Sequence, residues 1–316
     1  MEREMQNPQG DIRASDQAVT RPLSSIGVLM AGAIDYAGLF PPSAVSMQDA
    51  VENYAAYKRG EYSWMLGRFV VTAGRLNEFA AEAAKVFKAG EEPWRVAVVA
   101  GEDIELSTYS VVEFNSVERG RFVADVMEIK TSSTEDIENA CRIVPKTVTA
   151  YYEIPLDQRL PELVATLALR GQRAKIRTGG ITPEAFPKAR DIVRFVRACT
   201  AANLPFKATA GLHHPIRCQR PLTYEPNAVQ GKMHGFLNLF LMAAFVRDGR
   251  HNDMLEELMM TEDAGEFRFD QTGVRWRNDN VLTLFQLEQA RYNGIQSFGS
   301  CSFIEPIADL KAMGIL

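Results

Sequence analysis

Short apolar runs and longer amphipathic stretches alternate along most of this chain. The runs at 26–33 or 33–40, 64–71, 94–99, 122–129, 148–154, 174–177, 206–210 and 295–301 have the length and composition of strands. Between them the spacing is helical. Apolar residues recur at three and four over 47–58, and an alanine-rich stretch at 75–88 stops at Gly90. A Ser/Thr cap opens 134–143, with Glu135 in its first turn; 161–169 stops at Gly171; and Thr182 precedes Pro183 at the start of 183–202. Strands alternating with helices specify parallel βαβ units. Eight of them predict an α/β protein with a TIM-type (β/α)8 barrel. No GxGxxG follows the first strand, which argues against an open dinucleotide-binding sheet.

One region departs from this rhythm. From about 217 to 293 the sequence reads as a polar loop, a helix over 235–247, a hairpin over 267–276 and a second helix over 281–292. This predicts a helix–hairpin–helix insertion before the last strand, acting as a lid or an oligomer contact, so a homo-oligomer is open. Trp276 on the hairpin is either an interface anchor or a cover for the hairpin's own apolar side. Residues 1–22 are polar and mixed in charge, without signal-peptide character, and read as a flexible tail before a single barrel domain over 23–316.

Bulk properties narrow the function. With 35 Lys and Arg against 40 Asp and Glu, the net charge is −5, and no basic field points to nucleic acid. No stretch approaches the roughly 18 apolar residues of a membrane span. The four cysteines, Cys141, Cys199, Cys218 and Cys301, form no CxxC pair and are expected reduced in a cytoplasmic protein.

Chemistry in such barrels sits at the carboxyl ends of the strands. Residues there include Asp35 at the first, Arg68 in the second, Tyr151 and Glu153 at the fifth, Lys175 and Arg177 at the sixth, and Lys207 and Thr209 at the seventh. On the fourth, Glu128 and Lys130 share one face and Asp125 lies on the other. His213 and His214 follow the seventh strand; Gly299, Ser300, Cys301 and Ser302 end the eighth and run into a short helix. Barrel interiors are filled mostly by branched apolar residues, so this many ionisable positions needs a chemical reason. A lysine attacks a carbonyl only when neutral, and its free pKa of about 10.4 leaves almost none neutral at pH 7. A second cation nearby, with desolvation, frees the lone pair. Lys175 and Lys207 on neighbouring strands supply that pair, and Glu153, Glu128 or Asp125 would move protons. The glycine-containing end of the last strand offers backbone N–H groups and hydroxyls to an anion.

These segments resemble a known family. Lys175-Ile176-Arg177-Thr178-Gly179 is similar to the Lys-x-x-Thr-Gly segment on strand six of deoxyribose-phosphate aldolases and other class I aldolases. Phe206-Lys207-Ala208-Thr209-Ala210-Gly211 is similar to their strand seven, Phe298-Gly299-Ser300-Cys301-Ser302 to their phosphate loop, and Tyr152-Glu153-Ile154 to their strand five. The resemblance covers the second half of the barrel. It implies a Schiff-base lysine at Lys175, a pKa-lowering lysine at Lys207 and an acidic relay at Asp125 or Glu128. The family's Gly-Gly-Ile/Val-Arg is here Ala210-Gly211-Leu212-His213, which alters the usual phosphate contact. The segments 35–42 and 211–215 are also similar to bacterial proteins that carry no assigned activity.

The expected function is therefore an aldolase-type lyase that forms a lysine imine with a small anionic carbonyl metabolite, with no cofactor and no metal. Asp35, Arg68, Arg177, Thr178, Gly179, Thr209, Gly211, His213, His214, Gly299, Ser300 and Ser302 are the candidate substrate contacts. Two other readings stand beside it. One is a metal-dependent hydrolase using Asp35, Glu153, His213 and His214; the other is a non-catalytic barrel that binds an anionic metabolite. Cys301 reads as a small residue lining the site, with a nucleophile at a helix start as the sharper alternative.

Overall fold

The computed structural model describes residues 24–316; the tail expected over 1–22 lies outside the described residues. Eight parallel strands close into a barrel: β1 (Ile34–Tyr36), β2 (Leu66–Thr72), β3 (Trp94–Val99), β4 (Phe122–Lys130), β5 (Thr149–Glu153), β6 (Arg173–Arg177), β7 (Phe206–Thr209) and β8 (Ile295–Ser300). Each pairs with its sequence neighbours, and β8 closes the ring onto β1. The chain is thus an α/β protein with a TIM-type (β/α)8 barrel.

Local chemistry sets the helices. Ser133 and Asp136 form a reciprocal capping box that starts the helix Thr134–Ile143. Met47–Lys58 is capped by Ser46. The long helix expected over 183–202 is instead a single turn at Pro183–Ala185 followed by the helix Ala189–Ala201. Pro187 is the reason: it disfavours helical geometry at Phe186, which is extended, and it lacks the N–H the helix would need. At the start, the run 26–33 is a short helix, Ser25–Met30, capped by Ser24, and the strand lies within the later run.

The excursion before β8 holds more than the expected helix–hairpin–helix. The polar loop contains an antiparallel pair, Cys218–Pro221 with Gln230–Met233. The expected hairpin, Phe267–Phe269 with Gly273–Trp276, gains a third strand, Asn280–Thr283. The final helix consequently starts later, at Leu284–Asn293, behind a Thr283–Gln286 capping box. Helix Phe236–Arg247 is buried at every residue but Arg247 and packs between Ala189–Ala201 and Leu284–Asn293. Its all-round apolar surface fits a helix embedded in the outer layer. Trp276 is buried within this region, with the Arg277 guanidinium 4.5 Å from its ring centre, so it covers the meander rather than offering an anchor.

Most of the core lies between the barrel's outer face and the helices, where Tyr54, Phe69, Phe79, Trp94 and Phe122 pack edge to face or tilted. Inside the barrel a small apolar layer of Val70, Ala97, Val126 and Tyr151 separates two polar ends. At the amino-terminal end, Arg68 makes a two-pronged ion pair with Asp125 at 2.7 and 2.9 Å, and Arg95 joins the same carboxylate. Tyr151, Arg173 and Gln296 complete that end through hydrogen bonds. Among the described residues no helix is long and apolar enough to cross a membrane.

Candidate active site

At the carboxyl-terminal end, five ionised groups form a chain of alternating charge: Asp35, Lys207, Glu128, Lys175, Glu153. Lys207 Nζ donates to Asp35 Oδ2 at 2.5 Å and to Glu128 Oε1 at 2.6 Å. Lys175 Nζ lies 2.6 Å from Glu128 Oε2 and 2.9 Å from Glu153 Oε2. The parallel register makes this possible, since Lys175 stands opposite both Lys207 and Glu153. Each isolated buried charge would cost several kcal/mol, so alternation is the arrangement that lets five of them share one interior.

The chain deepens toward Asp35. Glu153 is partly buried, Lys175 is 6% exposed, Lys207 1% and Asp35 0%. Asp35 is held from below by the Arg68 backbone N–H at 2.8 Å and from the side by the Ser297 hydroxyl at 2.8 Å. Gly67 is required here, because a Cβ at that position would lie 2.4 Å from Asp35 Oδ1. Burial alone would raise the Glu128 pKa, but the two ammonium groups more than offset it and bring it down to about 2. Burial opposes the charge on Lys207, yet Asp35 and Glu128 together hold its pKa above the ordinary lysine value. Lys207 is therefore a fixed cation, and Glu128 stands between it and Lys175, so the direct cation pair expected to free the Lys175 lone pair is replaced by two ammonium groups that share one carboxylate.

Above the chain opens a cavity of about 450 Å³. Glu128, Glu153, Lys175, Lys130 and Arg177 line it from β4 to β6; Thr209, Ala210, Gly211, His213, Gly299 and Cys301 line the other side. Leu222 and Met233, from either side of the antiparallel pair in the excursion, also reach it. Lys130, Lys175, Arg177 and His213 place cationic groups around one space. Burial opposes protonation of His213, but Cys301 and Glu305 raise its pKa to about 9.

Several expected contacts are elsewhere. Asp125 and Arg68 lie at the opposite end of the barrel, tied to each other, because both stand near the starts of their strands; the register shift between β3 and β4 leaves Asp125 without a partner position. Asp35 is sealed beneath Lys207 and reaches no open space. Thr178 is fully buried and donates to the carbonyls of Thr209 and Ala210, so it ties two strand ends together. Gly179 packs against Gly211, where a Cβ on Gly179 would meet the Gly211 Cα at 2.9 Å. His214 turns to Asp309 at 2.6 Å. Ser300 donates to the Ser302 carbonyl, and Ser302 Oγ accepts from the Glu305 N–H, so neither hydroxyl faces the cavity. The four residues of the hydrolase reading are thereby divided among Lys207, Lys175, Cys301 with Glu305, and Asp309. Among the described residues no three His, Cys, Asp or Glu side chains are placed to hold one metal ion.

Residue patterns alone did not assign Lys130 to the cavity or bring Glu305 to His213 and Tyr224 to Glu305. Lys130 follows Glu128 by two on the same strand, and that period was the available signal. Glu305 and Tyr224 come from a helix and a loop, for which no period exists. Fold and site together define a (β/α)8 barrel with a buried lysine pair at its mouth. Comparison with protein-family models, curated proteins and solved structures gives no match to this chain.

Proposed function

We propose that this protein is an aldolase-type lyase that forms an imine between Lys175 and a small anionic carbonyl compound. One observation carries the reading: of the two lysines in the buried charge chain, only Lys175 meets the cavity. Lys207 is the held cation, facing Lys175 across the Glu128 carboxylate.

The chemistry follows from the partners. Glu128, with its pKa near 2, is a poor proton acceptor and remains the counter-ion of Lys175. Glu153, 2.9 Å from the same nitrogen and partly open to the cavity, is the group that takes the proton. The neutral amine then attacks the carbonyl carbon, and Glu153 returns the proton to the carbinolamine oxygen as water leaves. The iminium cation inherits the Glu128 contact that the ammonium had. When Glu153, a carboxylate again, takes the proton of a β-hydroxyl, the iminium draws electrons from the adjacent C–C bond, which breaks to release an aldehyde and leave an enamine. Lys130 and Arg177 are placed to hold the substrate's carboxylate or phosphate.

The test is reductive trapping. Incubation with a panel of carboxylated and phosphorylated aldehydes and ketones, then borohydride, should add one substrate mass to the wild type and none to Lys175→Met. A panel with no adduct, or an undiminished adduct in the variant, would remove this reading.

A further inference from the structure

A second reactive pair occupies the other wall of the same cavity. Cys301 Sγ lies 3.7 Å from His213 Nδ1 and 3.9 Å from Nε2. Glu305 Oε2 stands 3.3 Å from His213 Nδ1, and the Tyr224 hydroxyl donates to Glu305 Oε1 at 2.9 Å while lying 4.0 Å from the sulfur. Cys301 and His213 are each 6% exposed, and that remaining exposure opens into the cavity that Lys175 lines. Thiol and carboxylate both approach the Nδ1 side of one buried imidazole, with Sγ almost as near Nε2, and a cysteine beside a buried histidine that a carboxylate holds is one that can be activated.

We propose that Cys301 and His213 form a second nucleophilic centre, which captures the carbonyl carbon of a small aldehyde as a hemithioacetal. The thiolate forms the S–C bond, the C=O π pair moves to oxygen, and the His213 imidazolium gives that oxygen its proton. Reversal restores both groups, so no oxidant or reductant is consumed. Glu305 holds the imidazole in place, and Tyr224 fixes Glu305. The charged and titratable groups facing the sulfur are His213, Glu305, Tyr224 and Tyr36. Burial opposes ionisation of Cys301, but His213 and Ser43 bring its pKa below the ordinary thiol value. The other thiols differ. Burial pushes Cys199 up strongly and Cys218 up as well, and Cys141 faces the Tyr152 hydroxyl in a separate pocket.

This proposal does not depend on imine formation at Lys175, and the test separates the two. Cys301 alkylation by iodoacetamide is followed by peptide mass mapping from pH 5.5 to 9.5, with and without glycolaldehyde, in wild type and in Lys175→Met. The expected result is alkylation that persists below pH 7 and is slowed several-fold by glycolaldehyde in both proteins. His213→Gln should slow alkylation at pH 6.5 about tenfold, with the rate recovering toward the ordinary thiol pKa of about 8.5. Should that variant fail to fold, the wild-type profile still decides. A single rise at pH 8.5 or above, no alkylation at all, or aldehyde protection that vanishes in Lys175→Met would each overturn the proposal.

Discussion

Lys175 and Lys207 occupy one register position on adjacent strands and hold opposite oxygens of the Glu128 carboxylate. The two ammonium groups therefore meet through an anion. That anion has an acid-stability consequence. Glu128 ionises at about 2 in the fold against an ordinary 4.5. A depressed carboxylate pKa stabilises the fold fully above the unfolded value and loses that contribution as pH falls through the folded value. We expect about 3 kcal/mol to disappear between pH 4.5 and pH 2. Urea titrations of wild type and Glu128→Gln should converge across that window. Parallel curves would show that Glu128 is not held this way.

Lys207 should matter for folding as well as chemistry. Replacing it with Met strands Asp35 and Glu128 without their shared cation, a loss of roughly 3–5 kcal/mol for a buried pair broken on one side. Asp35→Asn in the same background should recover part of this, since the orphaned charge is then gone. A double-mutant cycle by chemical denaturation measures the coupling. Additive losses would contradict a direct Asp35–Lys207 bond.

Asp125 should behave differently from Glu128. Its carboxylate serves Arg68 and Arg95 at the far end of the barrel, on the other side of the apolar layer. Asp125→Asn is expected to cost about 1–3 kcal/mol of stability. The yield of reductive adduct at Lys175 should be unchanged. A collapse of trapping in this variant would place Asp125 in the site after all.

The mouth depends on two glycines in contact. Gly211 has φ +72°, and a Cβ there would lie 2.7 Å from the Phe186 ring and 3.0 Å from Gly179 Cα. Gly211→Ala should lower the thermal midpoint, with a cost of about 1–3 kcal/mol from backbone strain. A midpoint equal to wild type would mean the loop rearranges freely.

Much of this site is written in period two. Glu128 with Lys130, Lys175 with Arg177, and Lys207 with Thr209 alternate along their strands, and a parallel sheet carries that alternation into a shared interior. What the period could not carry was register. The shift that leaves Asp125 unpaired is a property of β3 and β4 together, and no residue type announces it. Hydroxyls were ambiguous for another reason. Thr178, Ser300 and Ser302 sit where an anion site would be, but small polar side chains at strand ends also satisfy nearby backbone groups, and here they do. Contacts that join distant loops, such as Tyr224 to Glu305, depend on the finished fold.

The decisive measurement is the position of the trapped carbon. Protein reduced with borohydride in the presence of a carbonyl substrate, then digested and mapped by mass spectrometry, should carry the adduct on the peptide containing Lys175. Lys207, sealed beneath it, and Lys130, open at the rim, should be unlabelled at the same exposure. Label on Lys207, or label spread equally over Lys130 and surface lysines, would contradict the assignment of Lys175 as the imine-forming amine.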